Sequence, residues 1–322
     1  MTRILLTLPL PEPAPAMLAA VGEVRVLNHI PPADELATEL RGGVDVLCSQ
    51  LRDHVSADIL DAGLPRLRAV CNYAVGYDNI DIQAATDRGI FVTNTPNVLT
   101  DATADCTLGL IIAAARRLRE GDVVLRAGGY DGWRPDFLLG LDLQDAVLAL
   151  LGFGRIGQAV ARRALAFGMH VRYVDEAHPT PPADLQQCQP VTFAEALRSA
   201  DVLSIHAPLT HDTFHLVDTA ALKAMKPTAV LVNTARGPIV DEDALVQALH
   251  SGDIAAAGLD VYENEPRTAR GLTELPNVIL APHLGSATRC TRAAMAEICA
   301  RNATAVLASH KPPHAVNDPT LR

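Results

Sequence analysis

Residues 146–157 read Ala146-Val-Leu-Ala-Leu-Leu-Gly-Phe-Gly-Arg-Ile-Gly157 and run into 158–167, a stretch with helical patterning. Val147–Leu151 is a short unbroken apolar run, the pattern of a strand buried on both faces of a parallel sheet. It ends in Gly152-Phe-Gly154-Arg-Ile-Gly157, a G-x-G-x-x-G. In such a motif Gly152 permits the tight turn, Gly154 lets a pyrophosphate approach the backbone, and Gly157 lets the new helix lie close on the strand. The helix N-terminus then offers free N–H groups to the phosphates. Alone the motif is weak, because packing glycines make the same pattern. Its surroundings favour a dinucleotide site. Gly168 is placed to end the helix, 170–175 reads as the next strand, and that strand ends in Asp175, eighteen residues past Gly157. A carboxylate near the ~20-residue spacing grips a ribose 2′-OH. The charge of Asp175, reinforced by Glu176, would repel a 2′-phosphate, so the expected cofactor is NAD rather than NADP.

The bulk properties narrow the classes. At 322 residues the chain is long enough for two domains. A hydrophobic content of 49% against 20% charge describes a packed globule, not a disordered chain. The formal net charge of −10 argues against a nucleic-acid partner. No apolar run approaches the roughly 20 residues of a membrane span, and residues 1–10 read as a first strand rather than a signal peptide. The six cysteines form no C-x-x-C. That usage suits a reducing, cytoplasmic setting and argues against a zinc site, so no metal is expected.

Along the chain, strands at 3–8, 23–28, 44–49, 69–72 and 90–93 alternate with helices at 13–21, 32–41, 57–62 and 81–88. Such alternation means a parallel sheet with helices on its faces. A long helix spans 100–119, and a loop at 128–135 holds the sole tryptophan, Trp133. Further strands follow the fingerprint at 201–206, 229–233, 256–260 and 278–281. A final helix at 287–309 carries the chain back, leaving a Pro-rich tail at 310–322. The expected fold class is α/β, with two doubly wound, Rossmann-like parallel-sheet domains and an active-site cleft between them. Residues 1–99 plus 287–322 would form a discontinuous substrate-binding domain, and 100–286 the NAD-binding domain.

Three polar residues stand at or just after strand ends in the second half: Arg236, Glu265 and His283. Singly, each has an ordinary reading as a surface ion pair, a solvated turn residue or a capped turn. Together they suit one reaction. Arg236 can hold a carboxylate with paired charge-assisted hydrogen bonds. His283 can pass a proton to or from a carbonyl oxygen as hydride moves. Glu265, if it meets the histidine, would fix the ring's tautomer and favour the protonated form.

Several stretches are specific enough to carry a family resemblance: 74–81, 94–105, 152–157, 206–210, 233–242, 258–262, Glu265-Pro266 and 282–288. On these the sequence resembles the D-2-hydroxyacid dehydrogenase family over nearly its whole length, and within it the glyoxylate/hydroxypyruvate reductase branch. The resemblance implies that Arg236 binds the substrate carboxylate, that His283 is the acid/base and that Glu265 supports it. It implies that the backbone amides of Val75 and Gly76 hold the same carboxylate, and that Leu51 closes the substrate pocket. Asp260 would meet the nicotinamide carboxamide. Thr103, Gly152, Phe153, Gly154, Arg155, Ile156, Gly157, His206, Ala207, Pro208, Thr234, Ala235 and Gly285 would line the cofactor. The family is typically a homodimer through the NAD domain, and Trp133 would reach the partner's active site or serve as a packing anchor.

The expected activity is therefore reduction of a small 2-oxoacid, glyoxylate or hydroxypyruvate, to the D-2-hydroxyacid. Some features pull elsewhere. Many glyoxylate reductases of this branch prefer NADPH and place a basic or small polar residue where Asp175 stands. Residues 132–135 and the segment 286–292, with Arg289 as a further anion contact or a plain surface charge, also look like phosphite dehydrogenase. Phosphite dehydrogenase, 2-ketogluconate reductase and an NAD(H)-sensing corepressor are the alternatives on the same scaffold.

Overall fold

The computed structural model describes residues 1–319; of the tail expected at 310–322, positions 320–322 lie outside them. The chain divides into two compact units, one formed by Met1–Leu99 and the described residues from Thr288 onward, the other by Thr100–Ala287. Both are α/β. No helix among the described residues is long and apolar enough to cross a membrane.

The first unit is built on β1 (Arg3–Leu6), β2 (Glu23–Val26), β3 (Val46–Ser49), β4 (Ala69–Asn72) and β5 (Phe91–Thr93). They line up in the order β2-β1-β3-β4-β5, every pair parallel. Both β3 and β4 are buried along their whole length, as strands covered by helices on two faces must be. Leu5, Leu47, Val70 and Val92 point to one face and share a core with the helices Ala33–Arg41 and Ala57–Gly63.

The second unit holds β6 (Val147–Leu151), β7 (His170–Val174), β8 (Gln189–Pro190), β9 (Val202–Ile205), β10 (Val230–Asn233), β11 (Ala256–Leu259) and β12 (Val278–Leu280). Their order is β12-β11-β10-β9-β6-β7-β8, again all parallel. Alternation divides the central strands between two cores. Leu148 and Leu150 enter one cluster with Tyr173 and Val230, whereas Ala149 and Leu151 enter the other with Leu203 and Leu231. The order reverses at β6, which pairs with both β7 and β9. In open α/β sheets, ligands bind outside the carboxyl ends of the strands at such a point, and the glycine-rich turn follows β6 directly.

Most observed strands stop short of the expected bounds, so Asp175, His206, Asp260 and Ala281 lie just beyond the ladders rather than within them. The helix expected at 100–119 is two helices, Thr100–Ala115 and Leu118–Arg126. The cause is tertiary. Leu141 N–H donates to the Ala115 carbonyl at 2.8 Å, and Gly140 lies so close that a Cβ there would sit 2.3 Å from the same oxygen. The helical ladder is intercepted, and Arg117 takes a left-handed φ of 51° before the second helix begins. That second helix buries none of its residues. The final helix is Arg289–Leu307, capped by the Thr288 hydroxyl, which accepts from Thr291 N. Within the tail, Ala315 pairs antiparallel with Thr93 at the edge of the first sheet, and Val316 N donates to Val92 O at 2.9 Å.

Candidate active site

The three fingerprint glycines meet different surroundings. Gly152 has φ +96°, and a Cβ on it would lie 2.6 Å from Ala207 N, so the turn presses against the chain leaving β9. A Cβ on Gly157 would lie 2.3 Å from Gly152 O, which keeps the first turn of the helix Arg155–Ala166 close to the strand end. Gly154, between them, faces open space: a Cβ would meet nothing within 4 Å. A turn closed against protein at its ends and open at its middle fits a phosphate-bearing ligand seated on the backbone.

Asp175 leaves β7 beside this turn. Its carboxylate accepts from Phe153 N at 2.6 Å and from Ala177 N at 2.9 Å, and it pairs with His178 Nδ1 at 3.0 Å. Burial pushes the Asp175 pKa up, but the Phe153 N–H and the His178 ring outweigh it and hold the group below the usual carboxylate range. Phe153 itself faces inward, fully buried and stacked on Tyr173 with ring centroids 3.9 Å apart. Arg155 is exposed and Ile156 half-buried at the helix start.

The other cluster forms beyond β10, β11 and β12. His283 follows β12 with a left-handed φ of 57°, an outlier of the kind that concentrates at functional sites. Its N–H donates to Asp260 O at 2.9 Å, while Leu284 N and Gly285 N donate to the two Asp260 carboxylate oxygens at 2.5 and 2.7 Å. The turn bearing His283 is thus fastened to the end of β11 through both main chain and side chain. The ring Nδ1 lies 3.1 Å from Glu265 Oε2. Glu265 Oε1 also accepts from Tyr262 N at 3.2 Å, and the Tyr262 hydroxyl donates to Ala281 O at 2.9 Å. Burial raises the Glu265 pKa, yet the His283 ring, the Tyr262 N–H and the charge of Arg236 bring it below the ordinary glutamate value. Asp260 goes the other way: burial raises it more than its backbone donors lower it.

Arg236 sits in the loop after β10, half-buried, with Nη1 donating to Ala235 O at 2.8 Å. Asn233 holds this loop, donating to Arg236 O at 2.8 Å and accepting from Ala235 N at 3.0 Å. The next residue is one that sequence reasoning passed over. A Cβ on Gly237 would lie 1.9 Å from the Tyr262 carbonyl carbon, so only glycine lets the arginine loop rest on the loop that bears Glu265. The sequence signal was the Arg-Gly-Pro run, in which the glycine follows the charged residue directly.

Around these groups, Thr234 and Thr107 share a hydrogen bond at 2.9 Å, and Thr103 packs beside Gly285. The His206 ring shares a hydrogen bond with Ser204 Oγ at 2.9 Å, and burial pushes its pKa down to about 3, leaving a neutral ring beside Ala207 and Pro208. In the first unit Leu51, Val75 and Gly76 are half-buried on loops after β3 and β4. Trp133 is 81% exposed. Arg289 is exposed at the start of its helix.

The chain matches the model of the D-isomer specific 2-hydroxyacid dehydrogenase NAD-binding domain over residues 108–285. It is 43% identical to the glyoxylate reductase of Thermococcus litoralis, covering 99% of this chain and 98% of that protein. The crystal structure of a Thermus thermophilus protein superposes with a TM-score of 0.91 at 45% identity, covering 98% of this chain and all of that one. An NADPH-dependent glyoxylate/hydroxypyruvate reductase from Sinorhizobium meliloti, solved with NADP and malonate, gives a TM-score of 0.88 at 35% identity, covering 100% and 98% of the two chains. With that domain model spanning more than half of its length and a relative matched end to end, the chain belongs to the D-isomer specific 2-hydroxyacid dehydrogenases, oxidoreductases that act on a CH–OH group.

Proposed function

We propose that this protein reduces glyoxylate or hydroxypyruvate to the corresponding D-2-hydroxyacid with NADH. The observation that carries the reading is the His283–Glu265 pair, 3.1 Å apart, set at the carboxyl end of the same sheet as Arg236. NADH, when bound, supplies the hydride. Arg236 binds the substrate carboxylate through its guanidinium and orients the 2-oxo group. Glu265 holds the proton on Nδ1 of His283, so Nε2 is the atom that gives a proton to the carbonyl oxygen, or takes one from the hydroxyacid in reverse. Asp260 fixes the histidine turn and is assigned the nicotinamide carboxamide. The amides of Val75 and Gly76 are assigned to the substrate carboxylate, with Leu51 at the pocket wall.

The preference for NADH rests on Asp175, whose ionised carboxylate stands beside the glycine-rich turn and would repel a 2′-phosphate. A homodimer through the NAD-binding unit is part of the reading. The helix Leu118–Arg126 has no fully buried residue, and Leu118, Val123, Leu125, Tyr130, Trp133 and Leu139 are exposed along one short stretch. Exposed apolar groups gathered in this way mark an interaction surface.

The test is initial-rate oxidation of NADH and NADPH with glyoxylate, hydroxypyruvate and pyruvate, with phosphite plus NAD run alongside. Rapid NADH oxidation with glyoxylate or hydroxypyruvate supports the reading. NAD reduction by phosphite with no oxoacid turnover would replace it. Within the active enzyme, His283→Ala should lower kcat by about 10²–10⁴-fold; near wild-type turnover in that variant would remove the proton-transfer role.

A further inference from the structure

The loop after β4 carries Val75 and Gly76, and its importance depends on the proposed function, in which their N–H groups hold the substrate carboxylate. Three consecutive carbonyls of this loop are each taken up inside the first unit. Ala74 O accepts from Thr95 N, Val75 O from Asn94 Nδ2 and Gly76 O from Asn72 Nδ2, all at 2.8 Å. In a planar trans peptide the carbonyl and the N–H of the next residue point to opposite sides. Holding Ala74 O therefore turns the Val75 N–H away from Thr95, and holding Val75 O turns the Gly76 N–H away from Asn94. Neither N–H has an acceptor among the described residues, and both residues reach the surface. Successive N–H groups presented in this way form a concave site for an anion.

Asn94 is itself firmly held. It is 8% exposed; its N–H donates to His314 O and its carbonyl accepts from Asn302 Nδ2, each at 3.2 Å. Asn302 Oδ1 in turn accepts from His314 N at 3.2 Å. The helix Arg289–Leu307 and the tail at His314 thus fix the asparagine that fixes the peptide. We propose that Asn94 is a positioning residue for carboxylate recognition: its side-chain amide locks the Val75–Gly76 peptide so that the Gly76 N–H is aimed at the substrate.

The measurement is steady-state kinetics with glyoxylate on Asn94→Asp, which sets an acceptor against the Val75 carbonyl, and on the milder Asn94→Ser. Each is checked by thermal melting and by NADH affinity from fluorescence. Loss of binding shared by ground and transition states appears in KM, and misplacing a binding group by about 1 Å costs up to ~10²-fold. The expected result is a rise in KM for glyoxylate of at least about tenfold, larger than any fall in kcat, with NADH affinity unchanged. An unchanged KM in a folded Asn94 variant, or parallel losses in kcat and NADH affinity, would overturn the proposal. Gly76→Pro deletes the N–H itself and separates the two levels. If it leaves KM unchanged, the assignment of the loop falls. If it raises KM while the Asn94 variants do not, the loop assignment stands and the positioning role is lost.

Discussion

Replacing Gly237 with alanine adds one methyl group between two loops that have no space for it. The new Cβ would lie 1.9 Å from the Tyr262 carbonyl carbon, 2.0 Å from its oxygen and 2.3 Å from Glu263 N. Real Cβ atoms stay at least 3.0 Å from such neighbours, so the loops must part by roughly 1 Å, a displacement that can cost ~10²-fold in rate. Because every obstructing atom is backbone, no side-chain rotation relieves the contact. One loop carries Arg236 and the other Glu265, so the proposed carboxylate anchor and the proposed support of His283 move apart together. Overpacking of this kind costs about 1–3 kcal/mol, or roughly 3–10 °C in Tm for a unit of this size. The assay is kcat/KM for glyoxylate with saturating NADH, beside calorimetry and NADH binding. Gly237→Ala should lose about two orders of magnitude in kcat/KM while NADH still binds, since the glycine-rich turn lies on other strands. Wild-type kcat/KM at an unchanged Tm would refute the reasoning. A lowered Tm with unchanged kcat/KM would show that the contact supports folding alone.

Gly154→Ala should melt as the wild type does, because its Cβ meets nothing within 4 Å, yet raise KM for NADH by roughly 10-fold or more by filling the phosphate cradle; an unchanged NADH KM would deny the cradle its role. Asp175→Ala should reduce the NADH-over-NADPH preference in kcat/KM and also lower Tm, since the carboxylate holds the Phe153 N–H at 2.6 Å; a full gain of NADPH activity at constant Tm would show that Asp175 acts on the ribose alone. Glu265 has a folded-state pKa below its ordinary 4.5, so its stabilisation is complete above that value and is lost as pH falls through the lower folded one. The Tm gap between wild type and Glu265→Gln should therefore be open near pH 7 and narrow as the pH falls below 4.5; a gap that widens on acidification would contradict the sign.

The sequence was legible where a requirement is local. Gly152 and Gly157 are demanded by atoms within a few residues or by the neighbouring strand end, and the spacing to Asp175 follows from the length of one helix. The break after Ala115 was not legible, because its cause, Leu141 N–H and Gly140, arrives from about two dozen residues downstream. Arg236, Glu265 and His283 could be picked out only as a set; that Glu265 reaches His283 depends on the turn in which Asp260 binds Leu284 N and Gly285 N. Asn94 opens the stretch 94–105 that helps carry the family resemblance, yet nothing in the sequence marked it for a positioning role. An asparagine in a loop is ordinary, and only the direction of one peptide plane gives it meaning. Asp175 was half legible: its distance from Gly157 suggested a ribose, while its grip on the Phe153 N–H is purely tertiary.

The discontinuous first unit bears on how the molecule is made. Its sheet comes from the opening 99 residues, but the helix Arg289–Leu307 and the segment pairing with β5 emerge from the ribosome only after Thr100–Ala287. Domains fold as units during synthesis, at about 5–20 residues per second. The second unit has all its strands in continuous sequence and can close while the first still lacks a covering helix and an edge. For roughly ten seconds or more at such rates, β3, β4 and the β5 edge are without their final partners. Unpaired strand edges and uncovered apolar faces are aggregation-prone in that interval, and a truncation removing the chain from residue 314 onward would leave the β5 edge open for good.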